Sequence, residues 1–213
     1  MKRVIFVVDG FNLYHSLLDA SKDAGGAGTR WLDLRRLCSS YLSVIGKRAA
    51  GRADIERIYY FSAPPTHRSQ EKQDHHALYM ACLRATDINV ELARFKSKDV
   101  FCPKCRKPFI AHEEKETDVA IAAKLMEVCH VGEGDIVVLM TGDTDLAPAV
   151  RASKRIFPNK LIFFAFPYKR TNRELVEIAP NSFSVKLKSC LKYQLPDPFV
   201  TPDGDSLQKP ASW

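Results

Sequence analysis

Residues 136–145 read Ile-Val-Val-Leu-Met-Thr-Gly-Asp-Thr-Asp, and this stretch decides the fold. Five consecutive apolar residues, rich in β-branched types, are too few for a buried helix and fit a strand covered on both faces. Thr141-Gly142-Asp143 closes the strand, and Leu146–Ile156 predicts a helix, with Pro148 tolerated in its first turn. The same grammar recurs at the front of the chain. Lys2–Val8 is a short apolar run stopped by Asp9-Gly10, with a helix predicted over Leu13–Ala20.

Working outward, strands and helices alternate. Gly25–Gly28 is a flexible loop, and Leu32–Ile45 predicts one helix from the spacing of Leu34, Leu37, Cys38, Tyr41, Leu42 and Ile45. Ile55–Phe61 predicts the second strand, ended by Ala63-Pro64-Pro65. Ser69–Ala85 predicts a helix and Asn89–Phe95 a third, alternating strand. Lys96–Glu114 breaks the rhythm: it is polar, holds two prolines and two close cysteines, and reads as an insertion. Thr117–Val128 then carries an apolar helical stripe, Lys160–Phe166 a fifth strand, Asn172–Ile178 a short helix and Phe183–Leu187 a last strand. From Leu195 the apolar pattern fades among prolines, which predicts a loose tail.

Alternating strands and helices predict an α/β fold with a mostly parallel sheet between two helical layers. The organisation expected is one domain over 1–190, interrupted by the insertion at 96–114 and followed by a tail over 191–213. Composition agrees, with 46% hydrophobic and 27% charged residues. No apolar run approaches the length of a bilayer span, and Val4–Val8 is too short for a secretory signal. The six cysteines without such a signal argue against a disulfide framework and for a reducing, cytoplasmic setting. A formal charge of +7 favours a polyanionic partner such as nucleic acid. A homo-oligomer is compatible with the sequence, which sets no oligomeric state.

In open parallel sheets, ligands bind beyond the carboxyl ends of the strands. Asp9 follows the first strand and Asp143 the fourth, with Asp145 at the entry to the next helix. Asp118 begins the helix before the fourth strand, and a crossover helix starts at the same carboxyl edge. Four carboxylates distant in sequence are thus expected on one rim. Crowded carboxylates repel unless a cation neutralises them, and oxygen-only ligands suit Mg²⁺ or Mn²⁺. Such an ion would serve phosphodiester hydrolysis by activated water. Each acid alone also has a plain structural reading, as an N-cap for Asp118 or Asp145 and as a turn residue for Asp9.

Val-Val-Asp-Gly-Phe-Asn at 7–12, Glu-Lys-Glu-Thr-Asp-Val at 114–119 and Thr-Gly-Asp-Thr-Asp-Leu at 141–146 resemble the three signature blocks of the NYN domain, in the LabA-like branch of the PIN-like nuclease superfamily. The resemblance runs in the right order over most of Lys2–Leu187. It implies a Rossmann-like, PIN-type three-layer sandwich and Mg²⁺-dependent cleavage of RNA, in the manner of an endonuclease. Carried over by position, it implies an acidic site of Asp9, Asp118, Asp143 and Asp145. Asn12 would order the metal shell or substrate, and Thr141 would be a polar neighbour. Two other readings compete: a catalytically idle RNA-binding or scaffold protein, and a Mg²⁺ phosphatase. The phosphatase reading is the weaker, because an Asp-x-Asp pair would be expected after the first strand and position 11 is Phe.

Cys102-Pro-Lys-Cys105 has the spacing at which two thiolates face one metal, and His112 follows nearby. Structural Zn²⁺ needs four ligands, with His75, His76 or Glu113 as candidates for the fourth; free surface thiols are the alternative. Lys169 and Arg170 follow the fifth strand, and Lys115 lies beside Asp118, so all three are placed either to meet phosphates or to face solvent as an ordinary charged loop. Tyr168, in the same rim loop, is the candidate for base stacking. His67, His75 and His76 lie on or beside a helix, with a surface role as the default reading and contact with substrate as the alternative.

Overall fold

In the computed structural model, which describes residues 1–101 and 105–213 and only the backbone over 95–99 and 108–115, β1 (Lys2–Asp9) is the centre of the molecule. It pairs in parallel with β2 (Ala53–Ser62) on one side and β6 (Ile136–Met140) on the other. β3 (Asn89–Leu92), β7 (Leu161–Phe166) and β8 (Phe183–Ser184) complete a six-stranded, all-parallel sheet in the order β3-β2-β1-β6-β7-β8.

Alternation along β1 explains the layers. Val4, Phe6 and Val8 point to one face and pack with Leu13, Leu17, Leu37, Ile45 and Leu83. These come from α1 (Gly10–Asp23), α2 (Leu34–Ser40), α3 (Leu42–Arg48) and α4 (Gln70–Ala85). Ile5 and Val7 point the other way and pack with Ile121, Leu125, Val150 and Leu175. Those belong to α5 (Thr117–His130), α6 (Ala147–Ile156) and α7 (Arg173–Ile178). A strand covered on both faces has no polar position to spare, so residues 4–8 are apolar without a break.

From β1 the chain steps outward to β2 and β3, then crosses back to β6 and steps outward the other way. The doubly wound order therefore reverses between β1 and β6, and their carboxyl ends flank the switch-point crevice. Among the described residues no helix is long and apolar enough to cross a membrane.

Several elements differ from the sequence reading. The predicted helix over Leu32–Ile45 is two short helices that meet at Tyr41, whose hydroxyl accepts from Lys186 N–H at 3.2 Å. The third strand ends at Leu92, where Ala93 N–H donates to the Ser62 carbonyl at 2.8 Å. Beyond it the expected polar insertion is a β-hairpin, β4 (Arg94–Phe101) antiparallel to β5 (Pro108–Lys115). The alternation read as one long strand belongs to two ladders. The last strand stops at Ser184, and α8 (Leu187–Lys192) follows.

The tail expected to be loose is packed. Leu195 N–H bonds the Trp31 carbonyl and Trp31 Nε1 bonds the Pro196 carbonyl, both at 2.9 Å. Leu195 and Phe199 are buried, β9 (Phe199–Val200) pairs with β10 (Ser206–Leu207), and Trp213 lies edge-on to Trp31 and Tyr79. A few apolar anchors without periodicity hold this segment, so no window of sequence reveals it.

Candidate functional site

At the end of β1, Asp9 turns the chain into α1. Its Oδ1 accepts the Asn12 N–H at 2.9 Å, capping the helix. Its Oδ2 accepts the Thr141 hydroxyl at 2.9 Å. The Thr141 Oγ1 in turn accepts the Asp143 N–H at 3.1 Å, and Asn12 Oδ1 accepts the Gly142 N–H at 3.1 Å. Two of these bonds, Thr141 to Asp9 and Gly142 to Asn12, tie the junction of β1 and α1 to the loop after β6. Asp9 and Thr141 are buried, 4% and 1% exposed, so this polar junction is sealed beneath the rim.

Above it, Asp143 is half-buried and its Oδ1 accepts the Asp145 N–H at 3.0 Å, capping the 3₁₀ turn Thr144–Leu146 that leads into α6. Asp145 is exposed. Asp118 lies in the first turn of α5, after Glu116, which adopts a left-handed φ of 77° and pairs with Arg94 at 2.6 Å. Although Asp118 is exposed as a residue, partial desolvation of its carboxyl, and then the negative Asp143 and Asp145, hold it above the ordinary carboxylate range. The effect of Asp143 and Asp145 on Asp118 places the three carboxyls near one rim.

Close backbone approaches fix the crevice. A Cβ on Gly10 would fall 2.5 Å from the Phe61 carbonyl and 2.6 Å from the Tyr60 ring. A Cβ on Gly142 would overlap the backbone of Arg170. Both glycines sit where one chain crosses another without room for a side chain.

Asp9, Asn12, Asp118, Thr141, Asp143 and Asp145 therefore stand at one edge. Among the described residues, no group of three or more histidine, cysteine, aspartate or glutamate side chains is gathered closely enough to hold a metal ion by itself. The acids form a rim and not a ready-made cage. Asp9 has both oxygens engaged in hydrogen bonds, which sets it apart from the outward-facing acids.

The basic candidates are at the rim but paired. Arg170 meets Asp19 at 2.6 Å and Lys169 meets Asp23 at 2.5 Å. The Tyr168 hydroxyl donates to the same Asp23 carboxylate at 2.8 Å, and Ser16 Oγ donates to the Tyr168 carbonyl at 2.9 Å. These contacts clamp the loop after β7 to α1, which explains the residues structurally. The side chain of Lys115 lies outside the described residues.

Of the zinc candidates, Cys102 and the side chain of His112 also lie outside the described residues; Cys105 is exposed. The backbone register sets His112 opposite Ser97, four pairs in from Phe101 and Pro108.

Sequence reasoning missed two features of this edge. Ser62, one residue beyond the Phe61 that pairs with Asp9, has its hydroxyl 3.0 Å from His76 Nε2. Burial, then the nearby Arg84, lowers the His76 pKa and so favours the neutral ring. The strand-end rule that located Asp9 would also have located Ser62, whereas the default reading of His76 is a surface role. The second feature is the aromatic face of α1. Phe11 and Tyr14 are exposed, and His15 lies against both rings. Desolvation and Arg170 lower the His15 pKa.

A solved structure of a protein of unknown function from Vibrio parahaemolyticus RIMD 2210633 is similar to this chain, with a TM-score of 0.51 and 18% identity over 87% of this chain and 93% of the other. That likeness concerns the fold. No curated protein matches the chain. The family model of the NYN domain matches residues 3–186, with all the parallel strands and the whole acidic rim inside the match, and the chain belongs to the NYN domain family of the PIN-like nuclease superfamily.

Proposed function

We propose that this protein is a ribonuclease that hydrolyses RNA phosphodiesters endonucleolytically in the cytoplasm, with Mg²⁺ or Mn²⁺ bound directly by one or two carboxylates of the rim formed by Asp118, Asp143, Asp145 and Asp9. The observation that carries the reading is the convergence of acids from two separate helix starts at the switch point, where partial desolvation and then the charges of Asp143 and Asp145 raise the pKa of Asp118. Membership of a ribonuclease-like family supports it at the coarse level.

The residues present fit such an ion. All the donors are carboxylate oxygens, the choice of hard divalent cations. Mg²⁺ characteristically takes one or two carboxylates and keeps its remaining positions for water and phosphate oxygens, which suits a rim better than a closed cage. When bound, the ion would supply an acidified water and offset charge on the phosphate. The chain's own residues prepare the place. Thr141 fixes the Asp9 carboxylate and the Asp143 backbone together. Asn12 pins the Gly142 loop, and the capping bond to Asp145 N–H sets the orientation of Asp143.

Incubation of the purified chain with single-stranded RNA, in EDTA and in Mg²⁺ or Mn²⁺, tests the reading. Metal-dependent internal cleavage that Asp143→Asn abolishes is expected. Wild-type protein that binds RNA and never cleaves it with either metal would replace the enzyme with an idle RNA-binding protein.

A further inference from the structure

The first two turns of α1 carry apolar surface that the core does not use. The buried side of the helix is Gly10, Leu13, Ser16, Leu17 and Ala20. Phe11, Tyr14 and His15 lie on the opposite side, at the i, i+3, i+4 spacing that brings side chains together. Phe11 is 50% and Tyr14 42% exposed. The Phe11 and His15 ring centroids are 4.4 Å apart at 71°, and those of Tyr14 and His15 are 5.5 Å apart at 77°. His15 thus bridges the two outer rings into one aromatic surface.

Its position gives it meaning. Phe11 follows two residues after Asp9, and Asn12, which pins the Gly142 loop, stands between Phe11 and Tyr14. One helical turn is about 5.4 Å, so the platform begins within about a turn of the rim. Exposed Val119, next to Asp118, and exposed Leu92, at the carboxyl end of β3, add apolar surface along the same edge.

Resting on the nuclease reading above, we infer that Phe11, Tyr14 and His15 form a stacking platform for an unpaired base of RNA adjoining the phosphate held at the rim. Every base offers a π-face, and aromatic side chains bind that face with little regard to sequence. Bases inside a duplex are already stacked on one another, so the platform selects single-stranded RNA over double-stranded RNA. The charge of the chain, +7, and the two cations Lys22 and Arg170 alongside the platform, which share the single carboxylate of Asp19, suit a polyanion better than an apolar peptide. Stacking does not read the 2′-hydroxyl, so single-stranded DNA engages the same rings.

The test measures binding by the full chain in EDTA, where cleavage cannot intervene. The probes are an RNA oligonucleotide containing 2-aminopurine, single-stranded and annealed to its complement. The wild type is expected to prefer the single strand and to change the 2-aminopurine fluorescence. Phe11→Ala and Tyr14→Ala should each weaken single-strand binding roughly ten- to hundredfold and remove the fluorescence change. Phe11→Trp should retain both, and duplex affinity should not move. Both side chains are exposed, and thermal melting confirms that the variants fold. Alanine variants that bind single-stranded RNA as tightly as wild type, with the same fluorescence change, overturn the platform and leave this surface to a protein partner; the nuclease reading then survives. Loss of binding in these variants of a chain that never cleaves RNA upholds the platform and removes the nuclease. A wild type that binds neither form of RNA overturns both.

Discussion

The hydroxyl of Thr141 donates to Asp9 Oδ2 at 2.9 Å, and through the bond from Asp143 N–H to the same hydroxyl oxygen it links acids 134 residues apart in the chain. The link crosses the switch point of the sheet, and its Thr141–Asp9 half is buried, where water cannot replace it. Thr141→Val keeps the shape and removes the hydroxyl. It leaves a buried carboxylate oxygen and a backbone N–H short of a partner, at a cost of about 1–3 kcal/mol. Urea unfolding should show that loss, and Thr141→Ser should restore most of the stability. A Val variant as stable as wild type would mean that the junction is not a structural tie.

Asp143→Asn should abolish RNA cleavage while leaving the fold intact. Asn retains an oxygen that can accept the Asp145 N–H, so the 3₁₀ turn persists, but the charge that holds a cation is gone. A loss of several kcal/mol of transition-state stabilisation corresponds to about a thousandfold or more in rate. RNA affinity should fall little, since cationic side chains supply most of it. Single-turnover cleavage and a filter-binding titration separate the two effects; cleavage at the wild-type rate would remove Asp143 from the site.

Asp118 gives a pH signature. Desolvation and the acids Asp143 and Asp145 raise its folded pKa above the ordinary value. The fold therefore favours the protonated form, and this contribution to stability is full below the unfolded pKa and lost as pH rises through the folded pKa. At neutral pH without metal, ionised Asp118 opposes folding, and Asp118→Asn should melt higher than wild type. The difference should vanish at acid pH. Adding Mg²⁺ should stabilise the wild type more than the variant. Equal melting temperatures at neutral pH would show that the three acids are not coupled.

Arg170 and Lys169 are neutralised by Asp19 and Asp23. If they turn to a phosphate on binding, their partners compete with RNA. Asp19→Asn should then tighten RNA binding and steepen its salt dependence by about one ion. Its cost in stability should be small, because half-exposed pairs contribute about 0–1 kcal/mol. An unchanged slope of log Kd against log salt would assign Arg170 to clamping the loop alone.

Gly142 lies against the Arg170 backbone with no room for a Cβ. Gly142→Ala should cost about 1–3 kcal/mol through overpacking and displace the loop that carries Thr141 and Asp143. Reduced cleavage together with a lowered denaturation midpoint is expected, and full activity at unchanged stability would show that the loop gives way freely.

The sequence by itself determined the sheet and the place of its acids. Residues 4–8 and 136–140 are apolar without interruption, as a strand buried on both faces requires, and they are stopped by Asp9-Gly10 and by Thr141-Gly142-Asp143. Strand ends and helix starts are local features, so Asp9, Asp118, Asp143 and Asp145 could be assigned to one edge without coordinates. Only the tertiary structure decided what each acid touches. Asp9 is spent on Thr141 and Asn12, the outer acids stand apart without forming a cage, and Arg170 and Lys169 are held by α1. The same holds for the hairpin beyond Leu92, the Ser62–His76 pair and the packed tail with Trp213 on Trp31. Periodicity reports which face of an element is buried, because burial repeats with the turn of the backbone. It carries no record of partners brought together from distant parts of the chain, since those contacts are set by how the layers close.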